Sequence, residues 1–318
     1  MSNELSVVGA EDASEYLATL RQGEDEELAE LRGEANPFQV MPKLVLSKDT
    51  KELRAVQNDE TVATFSTRNP LYFVPILIAE HRALWAPGDE DSKMPVCSTA
   101  RVKIGTFRRE NDKGIGRWNV KDNRDLLGPN GEWLDDDYPD GQWPTELKVN
   151  CNGCPWNQFK SMPDWDTARE TSKGKACGEG RLIVGYMAQQ IGTVGNNVGL
   201  FSFDEDAPMV FMNVPSTSIS AVHGIGNACV ARRVPARYTV FALGNEPKSE
   251  GAMKWGTLTQ EFAGFVDRPM VTVCDSKSTE MREMVFTKDL TPDIGETSQV
   301  KSTPHQPVED IDEDEVPF

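Results

Sequence analysis

Two cysteines three positions apart predict a metal site. Cys151 and Cys154 stand in the stretch VNCNGCPWNQF and form a C-x-x-C pair. Two thiolates at this spacing can bind one metal ion, because the turn between them directs both sulfur atoms to a common centre. A redox-active dithiol is the alternative use of such a pair, but it is typical of a βαβ context, whereas here Pro155 and Trp156 follow.

A tetrahedral ion needs two further ligands, and two other cysteines lie in suitable surroundings. Cys97 in MPVCSTA and Cys177 in GKACGEG stand in stretches rich in Gly, Pro or Ser, which are typical of turns. Cys229 and Cys274 lie in apolar runs, which predicts that they are core residues. The predicted metal ligands are therefore Cys97, Cys151, Cys154 and Cys177.

Zinc is the predicted metal, because disulfides are rare in a reducing compartment and four cysteines are typical of structural zinc sites. An iron–sulfur cluster is the alternative, since four thiolates bind either one. His81 or His223 in place of one thiolate is a further alternative.

A basic stretch with aromatic side chains follows Cys97. Residues 101–124 hold eight basic against three acidic side chains, interleaved with two aromatic rings. Single-stranded DNA is bound through cations for its phosphates and aromatic faces for its bases. The residues predicted to contact DNA here and around the cysteines are Arg101, Lys103, Phe107, Arg108, Arg109, Lys113, Arg117, Trp118, Lys121, Arg124, Trp156, Lys173 and Lys175.

The cysteine-containing stretches resemble a family of bacteriophage single-stranded DNA-binding proteins. The resemblance covers about residues 80–190 and lies in ALWAPGDEDSKMPVCS, CNGCPWNQF and SKGKACGEGRLIVGYM, which are similar to P-x-CS, C-x2-CP-x-N and GKGKAC motifs. This chain departs from the family in reading SKGKAC and in carrying MPDWDTARET before it. The resemblance implies a protein that coats single-stranded DNA in replication and recombination, in the cytoplasm of a phage host.

The sequence ends in VEDIDEDEVPF, where an acidic run precedes a proline and a phenylalanine. Unpaired carboxylates are costly to bury, so this run predicts a solvated segment. The tip is similar to the ends of bacterial single-strand-binding proteins, which implies a docking peptide for a polymerase, helicase, primase or recombinase; a merely solubilising tail is the alternative. The residues predicted to bind the partner are Asp312, Glu313, Asp314, Glu315, Pro317 and Phe318.

The net charge of −18 lies mostly in two tails. Residues 1–35 carry ten acidic and two basic side chains, and residues 301–318 carry six acidic and one basic. Residues 36–300 therefore carry a net charge of only −5. A basic groove for DNA is compatible with such a body.

Short β-rich runs separated by Gly, Pro, Asn and Asp dominate residues 36–289, and MVTVC at 270–274 is one of these predicted strands. PSTSISAVHGIGNACVARR predicts a helix, and RYTVFALGNEPKSEGAMKWGTLTQEFAGF a long hairpin. Such runs fit a β-barrel or an α+β fold. With the resemblance, we expect a mainly β, OB-like barrel over 36–289 with few helices. A zinc-binding insertion at about 97–177, an acidic arm at 1–35 and a disordered linker and tip at 290–318 complete the expected organisation.

Neither a run of 18 apolar residues nor a signal peptide is visible, so we expect no membrane partner. Two alternatives to a DNA-binding protein without enzymatic activity remain. Asp140, Glu146 and Lys148 could form a PD-ExK-like, magnesium-dependent nuclease site beside an iron–sulfur cluster. A zinc-ribbon adaptor that binds only proteins is the other alternative.

Overall fold

The computed structural model describes residues 36–84, 95–104, 114–119, 146–151, 154–157, 177–195, 198–251 and 253–287. They fall into two compact units. The first holds the described residues within 1–80, 100–105 and 181–292, and the second those within 81–99 and 106–180. The predicted acidic arm and the predicted tail lie outside the described residues.

The described chain is mainly β, as the sequence predicts. Neither of its two α-helices is long and apolar enough to cross a membrane. The helices are α1 (Ile219–Arg232) and α2 (Met270–Phe286). The strands are β1 (Lys43–Leu46), β2 (Leu53–Gln57), β3 (Glu60–Phe65), β4 (Leu71–Leu84), β5 (Cys97–Thr99), β6 (Val102–Lys103), β7 (Ile115–Asn119), β8 (Glu146–Asn150), β9 (Cys177–Val194), β10 (Val198–Ser202), β11 (Val210–Val214), β12 (Thr239–Glu250) and β13 (Met253–Val266).

Five strands of the first unit pair in a closed cycle. β4 pairs with β12, β12 with β13, β13 with β10, β10 with β9, and β9 again with β4. The β10–β13 pair is parallel, whereas β9–β10, β12–β13 and β4–β12 are antiparallel. The predicted long hairpin is confirmed as β12–β13, and its turn follows Glu250, at Gly251 with φ of 57°.

A second row of strands extends from β9. β11 pairs antiparallel with β9 and parallel with β1, and β1, β2 and β3 continue as an antiparallel meander. The loop before β2 is held by one side chain, since the Asn245 amide nitrogen donates to the carbonyls of Ser47, Thr50 and Glu52 at 2.7–3.1 Å.

Both helices bury one face against the strands. On α1, the buried side chains of Val222, Ile225 and Cys229 recur at three- and four-residue spacing, which is the period of a helix face. On α2, Cys274 and Met281 lie in a second hydrophobic cluster. The prediction that Cys229 and Cys274 are core residues is therefore confirmed.

The prediction of a strand at MVTVC is wrong, because these residues begin α2. The β-branched residues favour a strand locally. The burial of Cys274, Ser278, Met281 and Val285 along one face of the helix outweighs that preference, as tertiary packing often does.

A charged pair is buried between β4 and β9. Arg181 Nη2 lies 3.4 Å from Glu80 Oε2, and the two side chains are 6% and 3% exposed. Buried charges are tolerated only when paired, because an isolated one costs several kcal/mol in lost hydration. This pair therefore favours one register of the two strands.

The second unit contains β5, β7 and β8 together with the ends of β4 and β9. Leu84 pairs with Cys97, Cys97 with Trp118, and Trp118 with Leu147, so a ladder runs from β4 through β5 and β7 to β8.

Two glycine substitutions are expected to change stability in opposite directions. A Cβ on Gly264 would overlap the backbone of Gly199 across the β10–β13 pair. Gly264→Ala should therefore cost about 1–3 kcal/mol or more, as overpacking does. Gly226 is an exposed position within α1 with open space for a Cβ, so Gly226→Ala should add about 0.5–1 kcal/mol. Urea unfolding measures both, and equal effects would contradict the close approach of β10 and β13.

Candidate functional site

The four predicted metal ligands line one pocket of the second unit. Cys97 and Cys177 begin β5 and β9, Cys151 follows β8, and Cys154 precedes a 3₁₀ turn. Three of the four are buried, and Cys154 is half-buried. The structure thus brings together residues that are up to 80 positions apart in the sequence.

Backbone pairing fixes two of these positions. Cys97 lies opposite Leu84 of β4 and Trp118 of β7. The Cys151 N–H donates to the Gly114 carbonyl at 2.9 Å, which continues the β7–β8 ladder to the first residue of the C-x-x-C pair. The pocket is therefore a product of strand register and not only of the local turn.

Asn157 holds the turn of the C-x-x-C pair. Its side-chain nitrogen donates to the Cys151 carbonyl at 2.9 Å, and its backbone N–H donates to the Cys154 carbonyl at 3.0 Å. Trp156 also lines the pocket. The sequence shows Asn157 as part of the CP-x-N motif, but the motif alone does not predict that it holds this turn.

The thiols are close enough to influence each other. Burial raises the pKa of the Cys97 thiol, and the negative charges of Cys177, Cys151 and Cys154 raise it further. A cation in the pocket would remove this repulsion, because thiolates bind a metal in their deprotonated form.

The pocket between the four cysteines has little free space. Its cavity has a volume of about 10 Å³, about the room that one water-sized sphere occupies. Within the described residues, however, no group of three or more His, Cys, Asp or Glu side chains stands in metal-binding geometry. Binding of an ion would therefore require the sulfur atoms to shift from these positions.

The two histidines considered as alternative ligands do not line this pocket. His81 is buried on β4, where its ring lies against Gly180 of β9. His223 is exposed on α1 in the first unit.

Five of the residues predicted to contact DNA are described. Lys103 and Arg117 are exposed, and Trp156 is half-buried. The whole predicted partner-binding tip lies outside the described residues. So do eight of the predicted DNA contacts, which are Phe107, Arg108, Arg109, Lys113, Lys121, Arg124, Lys173 and Lys175.

Trp118 and Arg101 are buried, and this corrects their predicted role. Each is 2% exposed, so neither can touch a base or a phosphate in this conformation. Trp118 lines the cysteine pocket, and Arg101 donates to Asn213 Oδ1 at 3.2 Å. We therefore remove both from the set of DNA contacts.

The residues of the alternative nuclease site are only partly described. Lys148 is exposed on β8, Glu146 begins the same strand, and Asp140 lies outside the described residues.

Comparison with known proteins found no relative of this chain. No protein-family model matches the chain, and the searches of curated proteins and of solved structures found no match.

We expect the purified protein to contain about one zinc ion per chain. Replacing Cys154 by Ser should release it and loosen the second unit, since structural zinc contributes on the order of 10 kcal/mol to folding. Cys229→Ser is the matched control, because Cys229 lies in the core of the first unit beside Thr239. Metal analysis by mass spectrometry checks both variants, and full zinc content in Cys154→Ser would refute the assignment.

Proposed function

We propose that this protein binds single-stranded DNA through an OB-like β-barrel. The observation that carries the proposal is the closed cycle of five strands in the first unit. If β4, β9, β10, β12 and β13 are renumbered 1 to 5 in chain order, neighbouring strands of the cycle follow the order 1-2-3-5-4-1. An OB-fold is a five-stranded Greek-key barrel. A closed cycle in which the fifth strand lies between the third and the fourth is compatible with this fold.

The elements that bind oligonucleotides in OB-folds have counterparts here. OB-folds use the face of the second and third strands and the loops after the first and fourth strands. The corresponding elements are β9, β10, the stretch 85–176 and the turn between β12 and β13. The stretch 85–176 contains the basic residues predicted from the sequence, including exposed Lys103 and Arg117.

The β12–β13 hairpin adds cations and an aromatic ring. Lys248 lies opposite Trp255 and pairs with Glu246 at 3.0 Å, and Lys254 pairs with Asp49 at 3.0 Å. Trp255 is half-buried, so part of its ring is open to solvent. Together these side chains combine the two features that single-strand binding requires.

Zinc has a structural role in this proposal. Cys97, Cys151, Cys154 and Cys177 would hold the ion, which would crosslink the two ends of the stretch 85–176. Four thiols that line one pocket support a bound metal, and zinc is the ion we propose, with an iron–sulfur cluster as the alternative.

The resemblance to phage single-stranded DNA-binding proteins extends the proposal to replication and recombination. In this proposal, Pro317, Phe318 and the acids of DEDEVPF recruit a replication protein, with the acids accelerating the encounter.

Titration with an oligo-dT strand tests the proposed function. Tryptophan fluorescence should change on binding, and the logarithm of the affinity should fall with the logarithm of salt by about 0.7 per phosphate contact. A duplex of equal length should bind more weakly. Absence of binding at low salt would contradict the proposal and favour a protein adaptor, and magnesium-dependent cutting of the strand would favour the nuclease.

Trp255→Ala should weaken oligo-dT binding by about 1–3 kcal/mol if the ring stacks on a base. Val230→Ala is the control, because Val230 is an apolar residue 78% exposed on α1. Affinities of the two variants and their melting temperatures separate loss of contact from loss of folding. Wild-type affinity in a folded Trp255→Ala variant would exclude Trp255 from the interface.

A further inference from the structure

A cleft of the first unit combines an apolar floor with cationic side chains. Its volume is about 310 Å³, at the lower end of the range for small-ligand sites. Ile76 and Ile78 of β4 form part of the floor, and Phe286 at the end of α2 contributes an aromatic side chain. The cationic residues that line it are Lys103, Arg237 and Arg282.

Two of the cations are held by neighbouring side chains. Arg237 pairs with Asp275, which also accepts a hydrogen bond from the Tyr238 hydroxyl at 2.6 Å. The Tyr238 hydroxyl and Arg237 hold the pKa of Asp275 below its usual range, so the pair stays charged at neutral pH. Arg282 Nε donates to the buried Ser278 hydroxyl at 3.4 Å.

The charge balance of the cleft favours an anionic ligand. Among the described residues, three cationic and no acidic side chains line the cleft, and Lys103 and Arg282 are both exposed. Such a cluster stands out on a chain with a net charge of −18. Ile104, which is 47% exposed, and Phe286 offer apolar surface for a sugar or a base beside these charges.

The cleft also connects with the basic stretch of the sequence. Lys103 is the exposed cation from which the chain continues to Arg108, Arg109 and Lys113.

We propose that the cleft between β4, β6 and α2 is a second contact site for the phosphodiester backbone of single-stranded DNA, with Lys103 and Arg282 binding phosphates. This inference rests on the proposed function. The inference goes beyond the proposed function because α2, which contributes Arg282 and Phe286 to the cleft, is not among the elements of the OB-like interface, although Lys103 belongs to both. A bound strand thus continues past the barrel face that OB-folds use.

The double variant Lys103→Ala/Arg282→Ala tests the inference in oligo-dT titrations over a series of salt concentrations. Loss of two phosphate contacts should make the salt slope shallower by about 1.4, at about 0.7 for each contact. Lys277→Ala is the matched control, because Lys277 is a cation of the same helix that pairs with Glu280 and does not line the cleft. Its slope should equal that of the wild type.

Each other result has a definite meaning. A slope unchanged in the double variant, or changed equally in Lys277→Ala, would overturn this inference and leave the proposed function standing. Tighter DNA binding by the double variant would also overturn the inference. It would indicate that the acidic residues 308–318 bind the cations of the cleft. If the wild type itself fails to bind, both proposals are wrong.

A cross-linking measurement guards against a folding defect in the double variant. An oligo-dT strand carrying 5-bromodeoxyuridine, irradiated on the wild-type protein, should form an adduct on the peptides that contain Ile104 or Phe286. Adducts confined to other peptides would overturn the inference.

Discussion

The pairing of β4 with β9 is the constraint on which the rest of the first unit depends. It closes the cycle of five strands, and the buried Glu80–Arg181 pair favours one register of the two strands. A shift of one residue would turn every side chain of one strand to its other face and would separate the two charges. Because β4 ends at Leu84 and β9 begins at Cys177, the same two strands also set the ends of the stretch that carries the cysteines.

Strand register brings the cysteines together, whereas local chemistry shapes the turn between two of them. Cys97 is positioned by its partners Leu84 and Trp118, and only the C-x-x-C pair depends on its own short turn and on Asn157. Four thiols gathered in this way supply the donors that a structural metal would need.

Local patterns in the sequence predict the elements better than they predict exposure. The β12–β13 hairpin, helix α1 and the core positions of Cys229 and Cys274 follow from periodicity and neighbouring residue types. Trp118 and Arg101 were assigned to DNA because cations and rings alternate along 101–124. Their burial depends on long-range pairing, which a strand period cannot reveal. The strand predicted at MVTVC was wrong for the same reason, because the face that α2 buries is decided by the core.

The 92 residues between Leu84 and Cys177 also have a consequence for folding kinetics. β9 must find β4 across a long loop, and closing such a loop is slow because its entropy is lost before any contact forms. An ion bound by both Cys97 and Cys177 would reduce the effective loop to the few residues between Leu84 and Cys97. That shortening lowers the closure cost by roughly 2 kcal/mol. Because strand pairing also assembles the cysteines, metal binding and closure of the strand cycle would favour each other.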